Sequence, residues 1–541
     1  MQYYSLGWEE RRSTPIRLDL NEFQGEHCQA LQQGLLVGAD ASSYPDPADQ
    51  DQLHDLLGIR NCLFTPGSDQ AIQLAANWAA EHGSGHILVA TPTYDHAVNV
   101  FEEVFARVTE IPLDPLRSDD MPDDTLSKWL EFHDAGTVYL VNPSNPLGTV
   151  ISHRAIEHAA INNPATVFIV DEAYIEYAGD GVTCLELTKR FANVIVLRTF
   201  SKAWGLAGLR LGYLVAHPGV LEQVADGINE KDVTTISVRA AISVLQHHDH
   251  YDAQVRAVCR QRDDLAHELR EAGWAVPAAR ANFVTVLADD ETARLVRDTC
   301  KSRGVMIRTK PHGLIRVTMG HEEGVAIVRG VFAALSPPPM CDVIRRFTPK
   351  ETVWDLKLLF KRLVDVLHAN GFGRRWWLDS GSLLGWARHG GGLIPWDDDV
   401  DIGILEEDVD VLVGLRPQFD RAGLRLKMNR TEAYWQVDER AGSDDPATGP
   451  VHIDIFPFRK TAEGVLVNVD PRFVEPEQGM ANFQYSPDDL FPLQRTLWYD
   501  ELTVNVPANP HAVLDTNLPG WMETAVLKDG PTVDRAYWPT A

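Results

Sequence analysis

The chain has 541 residues, which is too many for one hydrophobic core, so two to four domains are expected. Hydrophobic residues at 44% and charged residues at 23% are typical of a globular protein. The formal net charge of −28 argues against nucleic acid or an anionic membrane surface as the main partner, although a local cationic pocket can still bind an anionic small molecule.

The start of the chain, MQYYSLGWEERRS, lacks the long apolar core of a signal peptide. No run of about 18 apolar residues occurs, so no membrane span is expected. The cysteines are scattered without a C-x-x-C pair, which predicts reduced thiols in a cytoplasmic protein. They are Cys28, Cys62, Cys184, Cys259, Cys300 and Cys341.

Four short apolar runs predict buried strands, namely HILVA (86–90), TVYLV (137–141), TVFIV (166–170) and NVIVL (193–197). Continuous apolar strands that alternate with helices are typical of an α/β fold, whose mainly parallel sheet is covered on both faces. The last three runs lead directly into the polar stretches NPSNPLGT, DEAYIEY and RTFSK. Because ligands of such sheets bind outside the carboxyl ends of the strands, these stretches are expected to converge on one crevice.

Lys202 lies in TFSKAWGLAGLR (199–210), the stretch that indicates a chemistry most directly. A lysine that bonds to an aldehyde must be positioned and is often desolvated. Thr199, Ser201 and Arg210 would supply two hydroxyls and a guanidinium to a phosphate dianion beside it. The combination indicates pyridoxal phosphate, an aldehyde that carries its own phosphate.

Other candidates for this site follow the predicted strands or open a helix. Asp171 offers the carboxylate that pyridoxal phosphate needs against its pyridine nitrogen, although an aspartate after a strand is also a common helix cap. Asn145 and Tyr174 can each donate a hydrogen bond to the phenolic oxygen of the ring, while NPSNP also suits a plain turn. The stretch GSD (67–69) precedes a helix predicted over about 70–78, whose free N–H groups can bind phosphate or need only an ordinary cap.

The stretch SPPPM (336–340) is the clearest linker, because three consecutive prolines cannot continue a helix. TPKE (348–351) then has the pattern of a helix start, with an N-cap, a proline and a capping-box glutamate. Apolar residues recur at spacings of three and four between Val353 and Leu367, which predicts a helix that Gly371 ends. The predicted division is a domain over 1–335, a linker over 336–347 and a second domain over 348–541.

The second domain contains PWDDDVDIG, in which four aspartates occupy five positions. On a strand Asp397, Asp399 and Asp401 would point to one face and Asp398 to the other. Clustered carboxylates repel one another unless a divalent cation neutralises them, and oxygen ligands favour Mg²⁺ or Mn²⁺. The run therefore predicts a metal site.

A further aspartate, Asp454, lies inside the apolar stretch HIDIFPF (452–458). A buried carboxylate needs a partner, and the same metal would provide one. The alternatives for the aspartate run are a solvated acidic loop and a calcium-like structural site.

The first domain contains, in order, LDLNE (18–22), YPDP (44–47), GSDQ (67–70), PTYDHA (92–97), NPSNPLGT (142–149), DEAYIEY (171–177), TFSKAWGLAGLRLGY (199–213), ANFV (281–284) and LIRVTMG (314–320). Through these stretches residues 18–335 resemble the fold-type I aminotransferases, and most closely the histidinol-phosphate aminotransferase branch. The resemblance implies a pyridoxal-phosphate-dependent transferase fold, with a large domain built on a mainly parallel sheet and a small C-terminal subdomain. It also implies a homodimer.

By this resemblance Lys202 bonds to the cofactor and moves the α-proton of the substrate, and Asp171 pairs with the pyridine nitrogen. Asn145 and Tyr174 bind the ring oxygen, and Tyr94 stacks on the ring. The residues implied to hold the phosphate region are Ser68, Asp69, Thr199, Ser201 and Arg210, and Tyr44 is implied to reach the cofactor phosphate of the other subunit.

The substrate side differs more from the family pattern. Arg316 is implied to bind the substrate carboxylate as a bidentate pair, and Arg308 lies near the position where the family holds a substrate phosphate. LDLNEFQGEH replaces the usual proline-rich loop, which argues against histidinol phosphate as the substrate. The expected substrate is a small amino compound that bears a phosphate or phosphonate group. Relatives of the family decarboxylate phosphorylated hydroxy-amino acids with the same cofactor residues, which leaves decarboxylation as the alternative.

The second domain contains LDSGSLLGWARHGGGLIPWDDDVDIG (378–403), which resembles the core motif of the LicD family, with similarity over about 345–525. The resemblance implies an α+β nucleotidyltransferase-like domain that transfers a phospho-alcohol, or a phosphonate, from a CDP-type donor to a sugar or another hydroxyl. Gly381 and Ser382 are implied to contact the donor phosphates. The implied metal ligands are Asp399, Asp401, Asp454 and also Asp397.

The whole sequence therefore predicts a bifunctional enzyme with two unrelated chemistries. The alternative for the second domain is a non-catalytic binding module. A nucleic-acid-polymerising nucleotidyltransferase is disfavoured by the acidic charge of the chain.

Overall fold

The computed structural model describes residues 15–34, 44–116, 121–229, 231–311, 313–338, 341, 350–389, 391–428, 434–439, 451–469, 484–499, 501–522, 524–526 and 532–534. The chain forms two compact units, one of residues 1–130 with 134–345 and one of residues 131–133 with 346–541. Most of the predicted linker, at 339–340 and 342–347, lies outside the described residues, as do Thr348 and Pro349 of the predicted helix start.

The described strands of the first unit are short and mostly buried. They are β1 (Ile16–Leu18), β2 (Cys62–Thr65), β3 (His86–Thr91), β4 (Arg107–Pro112), β5 (Thr137–Val141), β6 (Val167–Asp171), β7 (Val194–Thr199), β8 (Gly212–Val215), β9 (Phe283–Leu287), β10 (Val305–Lys310) and β11 (Leu314–Thr318).

The helices described up to residue 333 separate most of these strands. They are α1 (Gln29–Gly34), α2 (Pro47–Leu57), α3 (Ser68–His82), α4 (Asp95–Val104), α5 (Thr125–His133), α6 (His153–Asn162), α7 (Leu185–Arg190), α8 (Pro218–Val224), α9 (Thr235–Gln246), α10 (His248–Glu271), α11 (Asp290–Ser302) and α12 (Glu322–Ala333).

Seven strands form a large sheet in the order β2-β8-β7-β6-β5-β3-β4. Neighbours from β4 to β7 pair in parallel, whereas β8 runs against both β7 and β2. In register, Val141 is opposite Asp171, and Asp171 is opposite Leu197. The carboxyl ends of β5, β6 and β7 therefore lie side by side, where the three polar stretches begin, and the predicted α/β class is confirmed.

The four strands predicted from apolar runs are β3, β5, β6 and β7, and the structure confirms each within one or two residues. Their middle residues Leu88, Val138, Ile169 and Ile195 are fully buried, because helices cover both faces of a parallel sheet. Helix α3 packs its alanines and Ile72 into the same core. It extends the predicted helix by one turn at its C-terminus and begins at the GSD stretch itself.

A second, four-stranded sheet of the first unit has the order β1-β10-β11-β9. Strand β1 pairs in parallel with β10, and the other two pairs are antiparallel. In this register Arg308 on β10 is opposite Arg316 on β11. The small sheet thus brings two predicted substrate residues together.

The described strands of the second unit begin with a buried Trp-Trp-Leu segment. They are β12 (Trp376–Leu378), β13 (Val400–Leu405), β14 (Leu424–Met428), β15 (Trp435–Glu439), β16 (Ile453–Lys460), β17 (Leu466–Asn468), β18 (Gln484–Tyr485), β19 (Gln494–Trp498), β20 (Leu502–Val506), β21 (Thr524–Val526) and β22 (Thr532–Asp534). Its helices are α13 (Lys350–Ala369), α14 (Ser380–Arg388), α15 (Val409–Gly414), α16 (Arg416–Arg421), α17 (Pro487–Leu490) and α18 (Pro510–Asn517).

The main sheet of the second unit has the central order β12-β13-β16-β15-β14. Strands β13 and β16 pair in parallel, while β12 and β15 flank them in antiparallel pairs. The apolar stripe of α13 packs Leu356, Phe360 and Leu363 into the core of this unit. Gly371 ends this segment with φ of 74°, in the left-handed region that was expected of it.

Two general expectations can be compared with the structure. Among the described residues, no helix combines the length and the apolar character needed to cross a membrane. All six cysteines are present as thiols, and five of them are buried.

Candidate active site and candidate metal centre

Lys202 lies in the loop that joins β7 to β8. Its ammonium group donates a hydrogen bond to the Leu20 carbonyl at 3.3 Å and lies 5.6 Å from the centroid of the Tyr174 ring. Gly205 in the same loop has φ of 71°, and a Cβ added there would lie 2.5 Å from the His27 ring. Glycine therefore lets the loop turn and lets the N-terminal segment approach it.

Asp171 is the last residue of β6, and only 3% of it is exposed. The hydroxyl of Tyr139 donates to its Oδ2 at 3.0 Å, and the amide of Ala173 donates to its Oδ1 at 3.1 Å. Burial raises the pKa of Asp171 to about 6, and these two hydrogen bonds oppose the rise. A buried carboxylate of this kind is stabilised by a cationic partner such as a protonated ring nitrogen.

Asn145 and Tyr174 are both buried and both held by neighbouring side chains. Oδ1 of Asn145 accepts a hydrogen bond from the Arg316 guanidinium. The Tyr174 hydroxyl accepts one from Nδ2 of Asn21 at 3.1 Å, and Oδ1 of Asn21 accepts one from Thr318 at 3.1 Å. No role was predicted for Asn21, and its place in the LDLNE stretch was the only signal for it.

Arg316, the residue predicted to bind the substrate carboxylate, is buried. Its Nη2 donates to the Asp19 carbonyl at 2.8 Å, whereas its Nε is buried without a hydrogen-bond partner among the described residues. Burial lowers the pKa of this guanidinium, because a cation is disfavoured away from water. A buried donor without a partner is costly, so the position suits an anionic ligand.

The predicted phosphate region begins where α3 does. Ser68 and Asp69 occupy the first turn, and the preceding Gly67 has φ of 80°. Asp69 accepts hydrogen bonds from the Tyr94 hydroxyl at 3.1 Å and from Nη2 of Arg210 at 2.7 Å. A helix N-terminus and a guanidinium therefore lie together, and both bind phosphate well.

Thr199 and Ser201 are buried, and the Thr199 hydroxyl donates to the Ser201 hydroxyl at 2.9 Å. Thr199 is opposite Gly212 in the register of β7 and β8. A Cβ added at Gly212 would lie 2.6 Å from the Ser68 amide nitrogen. The glycine thus brings the two hydroxyls close to the start of α3.

Tyr44 is the predicted cofactor residue that these contacts do not include. It is 76% exposed, and the Lys231 ammonium lies 4.5 Å from its ring centroid. The other residues fit pyridoxal phosphate by their chemistry, since they offer an amine, a buried carboxylate and a phosphate cradle.

In the second unit the aspartate run is not a strand over its whole length, and the predicted alternation of its side chains is wrong. Strand β13 begins only at Val400, because the amide of Asp397 donates to the Ile394 carbonyl at 2.9 Å and closes a turn before it. Carboxylate oxygens of Asp397, Asp398 and Asp399 lie within 4.8 Å of one another. Asp398 therefore does not point away from its neighbours, although it is exposed.

The parallel pairing of β13 with β16 places Asp401 opposite Asp454. One ligand atom from each of Asp399, His452 and Asp454 lies within 4.8 Å of the others. The aspartates were predicted as ligands but His452 was not, although it lies two positions before Asp454 in the stretch HIDIFPF. The two segments therefore meet at the amino ends of adjacent strands.

Asp401 lies among carboxylates of like charge. Burial raises its pKa, and the charges of Asp399 and Asp397 raise it further. A Cβ added at Gly381 would lie 2.9 Å from Oδ2 of Asp397 and 3.4 Å from Oδ2 of Asp401, so the start of α14 closely approaches the cluster. A divalent cation would relieve this repulsion, and the oxygen and imidazole donors are of the right type to bind one.

Two fully buried residues, Ser382 and Asp379, lie next to the cluster. The Ser382 hydroxyl accepts a hydrogen bond from the Asp401 amide at 2.8 Å. Asp379 accepts a hydrogen bond from the Tyr485 hydroxyl, and burial raises the pKa of this carboxyl to about 6. Neither Asp379 nor Tyr485 was predicted to have a role.

Two family models match the chain. Residues 18–329 match aminotransferase class I and II, and residues 373–509 match the LicD/FKTN/FKRP nucleotidyltransferase domain. The two matches do not overlap, so the two groups of residues described above lie in regions that match different family models.

Curated relatives resemble the first match. Histidinol-phosphate aminotransferase 1 of Carboxydothermus hydrogenoformans is 30% identical over 324 residues, which cover 58% of this chain and 90% of the relative. The aromatic amino acid aminotransferase of Mycobacterium marinum is 37% identical, over 36% of this chain and only 54% of that relative. The similarity thus extends over nearly the whole length of one relative and about half of the other.

Solved structures show the same fold. The histidinol-phosphate aminotransferase of Sinorhizobium meliloti, solved with pyridoxal-5'-phosphate, has a TM-score of 0.54 at 25% identity and covers 60% of this chain and 94% of its own. The L-threonine-O-3-phosphate decarboxylase of Porphyromonas gingivalis has a TM-score of 0.51 at 20% identity, over 59% of this chain and 98% of its own. The second similarity concerns the fold alone.

Proposed function

The chain belongs, through residues 18–329, to the aminotransferase class I and II family of pyridoxal-phosphate-dependent enzymes, and we propose that its amino substrate is small and carries a phosphate or phosphonate group. The observation that carries this proposal is the pairing of Arg308 with Arg316 across two adjacent strands. One guanidinium suits the substrate carboxylate and the other a second anionic group. The buried Nε of Arg316, which has no protein partner among the described residues, supports the same role.

Each side chain around Lys202 has a separate role in transamination. Pyridoxal phosphate, when bound, supplies an aldehyde that condenses with amines and a ring that accepts electrons. Lys202 would hold this aldehyde through Nζ until a substrate amine takes its place, and the freed Nζ would then accept and return the α-proton of the substrate. Asp171 would pair with the protonated pyridine nitrogen, and Asn145 and Tyr174 would donate hydrogen bonds to the ring oxygen.

The remaining cofactor residues anchor the phosphate and the ring face. Tyr94 would stack on the ring, and Ser201 and Arg210 would bind the phosphate together with the first turn of α3. Tyr44 would reach the cofactor of a second copy, which makes the active enzyme a homodimer. The exposure of Tyr44 in a single chain supports this assignment, because a residue that serves another subunit is left exposed in its own.

A product assay tests this function. The full chain, loaded with pyridoxal phosphate, is incubated with phosphate- and phosphonate-bearing amino acids and a keto acid, and products are identified by mass spectrometry. We expect a keto product and a new amino acid. Release of carbon dioxide with an amine product would replace the proposal by decarboxylation, and turnover of only anion-free amino acids would reject the substrate class.

For the second unit we propose metal-dependent transfer of a phospho-alcohol or phosphonate from a CDP-type donor to a sugar or another hydroxyl. The carboxylates of Asp399, Asp401 and Asp454 would hold Mg²⁺ or Mn²⁺, which neutralises charge on the transferred group. Asp397 would join them, and Gly381 and Ser382 would place the first turn of α14 at the donor phosphates. The approach of Gly381 to two of these aspartates supports the assignment.

Transfer is measured with Mg²⁺, CDP-linked alcohols and a panel of hydroxyl acceptors, with CMP release as the readout. We expect CMP only when metal, donor and acceptor are all present. The Asp401→Asn variant should release none, and unchanged release would reject the metal assignment. We place both activities in the cytoplasm, since the six cysteines are thiols.

A further inference from the structure

Two short segments of the second unit share one pattern of spacing and meet at the starts of adjacent strands. Asp399 and Asp401 are two positions apart, and so are His452 and Asp454. Asp401 is opposite Asp454 in the parallel register, while Asp399 and His452 come just before β13 and β16 begin. Ligand atoms of Asp399, His452 and Asp454 lie within 4.8 Å of one another, so an imidazole lies among the carboxylates.

From this geometry we infer that His452 is a metal ligand and supplies a nitrogen donor to the ion held by Asp399 and Asp454. The inference rests on the metal-dependent function proposed above and deepens it, because it concerns which ion the site selects. With one nitrogen and several oxygen donors, the site binds a divalent first-row transition ion such as Mn²⁺ more tightly than Mg²⁺, which strongly prefers oxygen ligands.

The donor atoms lie close to the spacing that a shared ion requires. Ligand atoms at about 2.1 Å from a metal can lie up to roughly 4.2 Å apart. The donor atoms of Asp399, His452 and Asp454 are within 4.8 Å of one another, so the side chains would draw together around a bound ion. His452 is partly exposed, with 35% of its side chain accessible, and a metal can therefore reach the imidazole from solvent.

A glutamine on the next strand fixes the orientation of Asp454. Nε2 of Gln436 on β15 donates to Oδ1 of Asp454 at 2.8 Å. This hydrogen bond orients the carboxylate, as outer partners of metal ligands commonly do. Nε2 of His452 lies 3.7 Å from the same Oδ1, which is longer than a hydrogen bond. The imidazole therefore lies directly beside the carboxylate.

The first test uses the wild-type full chain with Mn²⁺ as the probe. Pulsed electron paramagnetic resonance detects nitrogen coupled to bound Mn²⁺, and labelling histidine with ¹⁵N shows whether that nitrogen comes from an imidazole. We expect a histidine-dependent nitrogen signal in the wild type and its loss in His452→Gln. This measurement needs no variant to give its first answer, so a folding defect cannot leave the question open.

The second test compares metal affinities by calorimetry. His452→Gln should weaken Mn²⁺ binding by at least about 10-fold, while Mg²⁺ binding changes by less than about 3-fold. The control is His248→Gln, because His248, Asp249 and Asp252 form an exposed group in the first unit whose ligand atoms also lie within 4.8 Å of one another. The control should leave both affinities unchanged.

The outcomes separate this inference from the function on which it rests. If Asp399→Asn abolishes metal binding but His452→Gln leaves the nitrogen signal and the Mn²⁺ affinity unchanged, the metal site stands and the histidine ligand is rejected. Equal weakening of Mn²⁺ and Mg²⁺ without a nitrogen signal means that His452 only positions Asp454, which also overturns the inference. If the wild type binds neither ion, the proposed function of the second unit fails as well.

Discussion

At the level of single residues, Asp171 shows how burial and a few hydrogen bonds set the acidity of a carboxyl group. Desolvation raises its pKa to about 6, and the Tyr139 hydroxyl and the Ala173 amide moderate the rise by favouring the charged form. The protonated form is therefore the stable one below about pH 6 in the apoprotein. Above that pH the ionised form prevails, and burial makes its charge costly until a cation pairs with it.

The first prediction concerns the pH dependence of cofactor binding. Because only ionised Asp171 can pair with the protonated ring nitrogen, the affinity for pyridoxal phosphate should fall as the pH drops through about 6. Tyr139→Phe removes a hydrogen bond to the charged form, so the midpoint should move upward by about one pH unit. Cofactor titrations of the apoprotein between pH 5 and 8, followed by protein fluorescence, measure the midpoint.

Tyr251→Phe is the control for this measurement. Tyr251 is a buried tyrosine whose hydroxyl contacts Cys28 and not Asp171, so its removal should leave the midpoint in place. A Tyr139→Phe midpoint equal to that of the wild type would show that the hydroxyl does not influence the carboxyl.

The second prediction concerns Arg316 and the substrate. Arg316→Lys keeps the positive charge but loses the planar fork that binds a carboxylate through two hydrogen bonds. Hydrogen bonds to charged groups contribute about 1.5–3 kcal/mol, so KM for the amino substrate should rise by about 10- to 100-fold. Steady-state kinetics measure the change, and the visible absorption of bound cofactor should be unaltered. Loss of cofactor with unchanged KM would place Arg316 in the cofactor site instead.

At the level of helices and strands, buried parallel strands were predictable because each is a continuous apolar run bounded by polar residues. The register between distant segments was not predictable, since it depends on tertiary pairing. The residues that were not predicted are ones that tertiary pairing brings to the site. His452 approaches Asp399 across more than fifty positions, and Gln436 reaches Asp454 from a neighbouring strand.

The aspartate run is not a strand over its whole length, and the reason lies in the residues just before it. Its predicted alternation assumed an extended backbone from residue 397, but Pro395 and the turn closed by Ile394 keep the chain out of the sheet until Val400. The metal prediction depends only on the clustering of carboxylates and not on the alternation. The cofactor residues were easier to locate, because the ends of neighbouring parallel strands necessarily lie together.

The third prediction concerns the contact between β8 and α3. A Cβ at Gly212 would lie 2.6 Å from the Ser68 amide and 3.0 Å from the Arg198 carbonyl, and backbone atoms cannot move aside easily. Gly212→Ala should therefore destabilise the first unit by about 1–3 kcal/mol and weaken cofactor binding, because the start of α3 is displaced. Thermal unfolding and cofactor titration measure the two effects.

Gly219→Ala provides a matched control in a helix of the same unit. A Cβ at Gly219 would meet nothing closer than 3.7 Å, and the residue lies in the first turn of α8. Alanine there should be neutral or stabilising by up to about 1 kcal/mol. If the two variants behave alike, the close packing of β8 against α3 does not hold in solution.

At the level of the whole molecule, the chain contains two compact units, each with its own buried apolar cluster. Lys202 and Asp171 belong to the first unit, and the aspartate cluster belongs to the second. No residue that we assign to one chemistry is also assigned to the other. The net charge of −28 acts on both units, so each must bind its anionic ligands through local cations, helix ends or metal ions.

The last prediction is that the two activities can be removed separately. Lys202→Ala should abolish covalent cofactor binding and amino transfer, because it removes the amine that we assign to the aldehyde, while CMP release should remain within about 2-fold of the wild type. Asp399→Asn with Asp401→Asn should abolish CMP release and leave amino transfer intact, since a carboxamide cannot neutralise a divalent cation. Both assays are run on each purified full-length variant, with circular dichroism as a check on folding. If either variant loses both activities while it remains folded, the two sites depend on each other, and the view of two independent chemistries in one chain must be abandoned.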